Sequence, residues 1–214
     1  MINITLKVNG EERALSLPAT RTLLAALRND MKLTGSKNAC NQGVCGACTI
    51  LLDGHQVCSC MMSAAQADGR NIQTVEGLAD NGTLNDLQQA FHLYGAAQCG
   101  ICTPGMLMAA TDLLRRTPDP SEQQVQDSLG GVLCRCTGYR KIIDAVLHVA
   151  DPDGAGIEIP EAGKAVGARA AKRDGRQKID GSELYGADRA PADALWLRVV
   201  RSPHWNASFT IGDL

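Results

Sequence analysis

The sequence predicts an α+β protein, with a small strand-and-helix domain at the N-terminus followed by an all-helical domain. Three observations predict it. The first residues alternate apolar and polar with a period of two, the apolar period becomes helical from Leu84 onward, and Asp151-Pro152-Asp153-Gly154 breaks the last helical stretch.

Ile2, Ile4, Leu6 and Val8 alternate with polar residues, as in a half-buried strand. Asn9-Gly10 is a two-residue hairpin signal, so Arg13 to Leu17 is expected to return as a second strand. Thr22 is a candidate N-cap for a helix over Leu23 to Asp30, with Leu23, Leu24 and Leu27 on its inner face. Thr49 to Leu52, the turn Asp53-Gly54 and Gln56-Val57 read as a second hairpin. Residues 1–77 form the first domain.

Leu84, Leu87, Phe91 and Tyr94 give a helical stripe. Thr103-Pro104 reads as a cap followed by proline at the first helical position, opening a helix to Arg116. Ser121 and Gln124 form a capping box before a short helix that ends at Gly130-Gly131. Ile142, Ile143, Val146, Leu147 and Val149 repeat along a last helix over Tyr139 to Ala150. Residues 78–150 are the second domain, and 151–172, rich in Gly and Ala, a linker. Residues 173–214 are too few for a domain, and Leu195 to Val200 reads as a strand without an obvious partner.

Composition narrows the function. The 214 residues carry a net charge of −2, so no basic field invites nucleic acid or acidic lipid. No run of 18 apolar residues exists, which argues against membrane insertion. The N-terminus lacks a secretory pattern, so a reducing, cytoplasmic location is expected. There, clustered cysteines bind metal more often than they pair, and nine is an odd number for a disulfide framework.

Cys40, Cys45, Cys48 and Cys60 give C-x4-C-x2-C-x11-C, whose opening is the plant-type [2Fe–2S] spacing. Two irons bridged by two sulfides need two thiolates each, so a loop supplying three of them must wrap the cluster. Gly43 and Gly46 sit where the backbone comes close; glycine permits positive φ and leaves amides free to face the sulfides. Cys58 shares a strand face with Cys60, so spacing alone does not decide between them. Zinc with four thiolates is the competing reading. Its ligands usually come as two C-x2-C knuckles, and here only Cys45/Cys48 forms one.

A second group is Cys99-x2-Cys102 with Cys134-x-Cys136. Each pair lies at a helix N-terminus, where unpaired amides and the positive dipole end suit an anionic cluster. In isolation this spacing suits zinc or a redox pair equally. Beside the first group it points to two sites in adjacent domains, and so to electron transfer. A histidine-ligated centre would need two histidines on one iron, and no histidine pair has that spacing. No acid–base or nucleophile constellation appears, so no catalytic residue and no substrate site is expected in this chain.

Cys40 to Cys60, "GAAQCGICTPGM" (Gly95 to Met106) and "LCRCTGYRKIIDAV" (Leu133 to Val146) together resemble the iron–sulfur subunit of the xanthine oxidase family of molybdenum hydroxylases. The resemblance implies a β-grasp, plant-ferredoxin-like domain and a four-helix bundle, each holding one [2Fe–2S] cluster. It implies a partner large subunit carrying molybdopterin in its cytosine dinucleotide form, beside the helical-domain cluster. It implies a flavin (FAD) or cytochrome subunit, or another acceptor, beyond the ferredoxin-like cluster. Carried over by motif position, Gln98 would hydrogen-bond the pterin, and Cys136 would both ligate iron and contact the pterin edge. The partner would oxidise an aldehyde or N-heterocycle with water as the oxygen source. Arg173 to His204 resembles the opening of the family's molybdenum-binding large subunit, so the Leu195–Val200 strand is expected to pair with a partner chain. Two departures stand out: Val132 replaces the family's usual asparagine, which removes a side-chain hydrogen bond near the inner cluster, and Cys58 is extra. A self-standing two-cluster ferredoxin for a non-molybdenum enzyme is the alternative; the tail argues against it.

Overall fold

The hairpins form where their turn chemistry places them. Asn9 and Gly10 take φ of 51° and 87° between β1 (Ile2–Val8) and β2 (Glu11–Leu17), which pair antiparallel with Ile2 opposite Leu17. Asp53 and Gly54, at 46° and 82°, do the same between β3 (Thr49–Leu52) and β4 (His55–Cys58). Two successive positive φ values are what a type I′ hairpin turn requires. A fifth strand, β5 (Asn71–Gln73), joins the hairpins, parallel to β1 and antiparallel to β3, giving the order β2-β1-β5-β3-β4. Three residues are too few to show an alternation, so periodicity misses this central strand. The structure is a computed structural model, and it describes residues 1–191, 193–195 and 197–212.

Thr22 caps the first helix as expected, its hydroxyl accepting from the Ala25 N–H at 3.2 Å. The helix itself departs from expectation: only Leu23–Ala25 (α1) is α-helical, and Ala26–Asp30 continues as a wider π turn. Leu23, Leu24 and Leu27 are buried on its inner face.

Four helices follow: α2 (Asp86–Leu93), α3 (Thr103–Arg116), α4 (Glu122–Leu129) and α5 (Arg140–Leu147). The Ser121/Gln124 capping box is formed, and Asn85 with Gln88 makes another before α2. At α3 the expected cap is displaced by one residue. Cys102 occupies the cap position, Thr103 is already helical, and Pro104 follows it.

Ile4, Leu6, Val8, Leu27, Ile50 and Ile72 belong to one core; Phe91, Met106, Leu107, Leu129 and Ile142 belong to a second. The two meet at β3, whose four residues are all buried. Ile50 and Leu52 face the first core and Leu51 the second, because successive strand side chains point to opposite faces. Asp112 of α3 pins this contact: the Gln56 amide donates to it at 2.9 Å, while Arg115 donates to the Gly54 carbonyl.

Residues 1–183 form one compact unit, and a second begins at Leu184. The first unit includes a helix in the tail segment, α6 (Gly175–Asp180), which buries Ile179 in the helical core. In the second unit a 3-10 turn, Gly186–Arg189, precedes described residues that form no regular structure. The strand expected over 195–200 does not form among the described residues, which exclude Trp196. Leu195, Leu197 and Val200 lie exposed. Among the described residues no helix is long and apolar enough to cross a membrane.

Candidate iron–sulfur sites

The loop leading from α1 to β3 is fixed from its N-terminal side. Arg28 donates to the carbonyls of Thr34 and Ser36 at 2.6 and 2.7 Å, and the Lys37 N–H donates to the Ala47 carbonyl at 3.0 Å. Gly43 and Gly46 have φ of 72° and 68°, values that glycine adopts at no steric cost. A Cβ on Gly43 would lie 2.8 Å from the Met61 side chain; one on Gly46 would lie 2.2 Å from the Gly131 carbonyl oxygen.

This loop gathers Cys40, Cys45, Cys48 and Cys60, with Cys58 beside them. Cys48 and Cys60 are buried against Leu24, and Cys58 packs on that group, its thiol 3.8 Å from the Gly43 carbonyl. Their acidities diverge. The Gln42 N–H, 3.4 Å from its sulfur, together with the Cys45 thiol, lowers Cys40 to about 6. Burial, and then the Cys48 thiol, push Cys60 up to about 11. Burial also raises Cys48 and Cys58.

The second group converges from two helix starts. Cys102 ends the turn before α3; Cys134 and Cys136 lie in the turn before α5. Gly138 and Tyr139 carry positive φ (63° and 67°), which curls this turn back on itself. The Tyr139 hydroxyl accepts from the Cys134 N–H at 2.9 Å, and the Thr137 hydroxyl lies 3.1 Å from the Cys134 sulfur. Cys102 neighbours Cys134 and Cys99, and Cys136 neighbours Cys99. Burial raises Cys102 well above the usual thiol range. Burial acts the same way on Cys134, but the Thr137 hydroxyl and nearby amides outweigh it and hold that thiol low. Gln98, Cys99 and Cys136 lie on the exposed edge of this site.

Between the two groups the chain is close-packed. A Cβ on Gly105 of α3 would lie 2.4 Å from the Gly46 carbonyl oxygen and 3.2 Å from Val132. Val132, 1% exposed, fills this junction with a branched apolar side chain where the two loops touch.

The donor sets fit [2Fe–2S] groups. The first site offers five neighbouring thiols and the second four, and soft sulfur donors suit iron–sulfur chemistry. Among the described residues no three or more of these side chains stand close enough to hold a single metal ion. The raised thiols are protonated in the metal-free fold, so iron would have to displace protons on binding. The Thr103 hydroxyl adds an independent observation. It sits next to Cys102, is 1% exposed, and finds no protein partner. A buried orphan donor is costly unless something absent from the protein accepts from it. Sequence reading assigned Thr103 a cap and so missed it; the displaced helix start is the reason.

Residues 6–79 match the family described as "2Fe-2S iron-sulfur cluster binding domain", and residues 74–147 the family described as "[2Fe-2S] binding domain". The nicotine 6-hydroxylase small subunit of Paenarthrobacter nicotinovorans is 54% identical over 146 residues, covering 68% of this chain and 88% of that one. The chain belongs to the iron–sulfur subunits of the xanthine oxidase family of molybdenum hydroxylases. Two solved structures agree. Quinoline 2-oxidoreductase from Pseudomonas putida 86 superposes with a TM-score of 0.69 at 45% identity, over 72% of this chain and 96% of its own. The aldehyde oxidoreductase of Desulfovibrio gigas superposes with a TM-score of 0.82 at 37% identity, over 90% of this chain. This chain spans 23% of that protein's length. Family membership makes the chain an electron-transfer component of an oxidoreductase with two [2Fe–2S]-binding domains, and it does not favour a self-standing ferredoxin.

Proposed function

We propose that Cys40, Cys45, Cys48 and Cys60 hold one [2Fe–2S] cluster and Cys99, Cys102, Cys134 and Cys136 the other. In this reading the chain serves a molybdopterin centre, in its cytosine dinucleotide form, carried by a partner large subunit. The observation that supports it is that cysteines dispersed over 97 positions, from Cys40 to Cys136, become neighbours in two groups on either side of a packed junction. When bound, each cluster accepts and releases one electron, while the molybdenum centre supplies the oxidation of an aldehyde or N-heterocycle.

The chain's own residues divide the work. Gln98 and Cys136, on the exposed edge of the helical site, face outward and would meet the pterin. Asn41, Gln42 and Val44, exposed on the ferredoxin-like loop, mark the opposite opening, toward a flavin, cytochrome or other acceptor. Residues 1–77 and 78–150 act as the two cluster domains, and Arg173 to His204 as the start of the molybdenum-binding part. Reduced thiols in such numbers suit the cytoplasm.

The test is the Fe:Mo:Zn ratio of the native assembly purified through a tag on this chain. Four irons per molybdenum with negligible zinc is expected. Four irons per chain without molybdenum would return the free ferredoxin, and zinc without iron would sink the reading.

A further inference from the structure

The segment 172–183 lies beyond both cluster domains in sequence, yet it returns to both in space. At its far end the Lys37 ammonium, at the head of the Cys40 loop, donates to the Glu183 carbonyl at 3.1 Å. In its middle the buried Gln88 amide donates to the Ile179 carbonyl at 3.2 Å, and Ile179 is fully buried. Gly175 allows α6 to approach α2: a Cβ there would lie 2.9 Å from His92 Nδ1. At its near end the Lys172 ammonium donates to the Gln98 carbonyl at 2.5 Å, 74 positions away. That carbonyl belongs to the peptide whose N–H is Cys99's own.

We propose that Lys172 is a positioning residue for the helical-domain cluster. The strap carries it to the Gln98–Cys99 peptide, where it fixes the exposed arm of the site and sets a positive charge beside a cluster ligand. This rests on the reading that Cys99, Cys102, Cys134 and Cys136 hold a [2Fe–2S] group. Asp174 does not cancel the arrangement: its carboxylate lies 3.5 Å from Lys172 and 2.5 Å from Lys178, so it leans toward the latter. A cation donating to a carbonyl polarises that peptide and strengthens its N–H as a donor. A nearby positive charge also favours the more negative, reduced form of a cluster over the oxidised form. The interaction is partly screened, because the Lys172 side chain is 39% exposed. Anchoring at Gln88 and Lys37 is what makes so long a side chain effective, since the backbone is already ordered before the contact forms.

The experiment uses the full chain with its clusters in place. Iron content and two distinct [2Fe–2S] electron paramagnetic resonance signals in the unsubstituted chain establish the underlying reading; their absence would remove it. The helical-domain signal is assigned as the one lost in Cys99→Ser. A redox titration then compares Lys172→Met with Lys172→Arg. Lys172→Met is expected to lower the potential of the helical-domain cluster by threefold to tenfold in its one-electron equilibrium, about 30–60 mV. The ferredoxin-like cluster should stay where it was, and Lys172→Arg should restore most of the shift. An unchanged potential, or an equal shift of both clusters, overturns the proposal. If Lys172→Met does not fold, Lys172→Gln keeps a donor without the charge. Lys172→Gln should lower the potential likewise. In Lys172→Met, which also loses the donor, amide exchange over residues 98–102 should quicken several-fold, and unchanged exchange there also overturns the proposal.

Discussion

The Leu133 N–H donates to the Cys45 carbonyl across 2.9 Å, so the residue before one candidate ligand, Cys134, is hydrogen-bonded to another candidate ligand in the other domain. Gly46 follows Cys45 directly, and its missing side chain is what permits the approach. Gly46→Ala would place a methyl group against the Gly131 carbonyl and force alanine into positive φ. Neither atom of that backbone contact can swing away. The cost expected is about 2–4 kcal/mol, from overpacking plus backbone strain. Magnetic coupling between the two reduced clusters should weaken together with the melting temperature. Coupling and melting temperature both unchanged would show that the junction tolerates opening.

Much of this arrangement was legible from residue order. The Asn9-Gly10 and Asp53-Gly54 turns, the Thr22 cap and the Ser121/Gln124 box all depend on contacts within a few residues, and all form. The family was legible because cysteine spacing is distinctive, and the two family matches span both cysteine groups. What escaped were relationships that only the tertiary fold creates. β5 is a strand because β1 and β3 flank it, not because Asn71–Gln73 prefers to be one. Asp112, Gly105 and Lys172 matter through Gln56, Gly46 and Gln98, 56 or more positions away, and no local pattern marks such pairs. The 195–200 stretch shows the converse: apolar character alone does not make a strand of its described residues.

Cys58 and Cys60 can be told apart by deletion. Cys60 is buried beside Cys48, whereas Cys58 ends β4 opposite Thr49, its thiol directed to the Gly43 carbonyl. Cys58→Ala should retain four irons per chain and both resonance signals. Cys60→Ala should lose the ferredoxin-like signal and about half the iron. The reverse pattern would make Cys58 the ligand and the hairpin register the wrong guide.

Thiol reactivity in the metal-free chain should follow the divergent acidities. With a pKa of about 6, Cys40 is mostly thiolate at neutral pH; with one of about 11, Cys60 is almost wholly protonated. Lower basicity makes the Cys40 thiolate intrinsically less nucleophilic, which offsets part of the advantage. Iodoacetamide should still label Cys40 at least tenfold faster than Cys60 at pH 7, read by peptide mass spectrometry. Cys40 labelling should rise through about pH 6 and then level off, while Cys60 labelling keeps rising toward pH 11. Equal rates at pH 7 would contradict the Gln42 amide as the cause.

Asp112 gives a pH signature for the contact between the sheet and the helices. Burial alone would raise its pKa, but the Gln56 amide and the Arg116 and Arg115 guanidinium groups outweigh that and hold it below the usual carboxylate value. A depressed folded pKa means the stabilisation is fully present above the unfolded value, about 3.9, and is lost as pH falls through the folded one. Asp112→Ala should cost about 1–3 kcal/mol at pH 7, since it also strands the Gln56 amide. The gap between the two proteins in urea midpoints should narrow below about pH 4. A gap constant down to pH 2 would mean that the side chain acts by packing, not by charge.

Thr103→Val separates two consequences of one hydroxyl. Valine nearly matches threonine in shape, so the packing at the start of α3 is kept while the buried donor is removed. If the hydroxyl has no acceptor even in the loaded protein, its removal relieves an unpaired buried polar group, and stability should rise by about 1 kcal/mol or more with no change in potential. If it donates to a sulfide or thiolate of the helical-domain cluster, it favours the more negative, reduced state. Its loss should then lower that potential by threefold to tenfold in the equilibrium constant, about 30–60 mV, without a gain in stability. The second outcome is expected, because Thr103 is buried beside Cys102 and an orphan donor held there at a stability cost needs a compensating acceptor. A potentiometric titration paired with thermal unfolding of the same preparation distinguishes the two. A stability gain with an unmoved potential would remove Thr103 from the site.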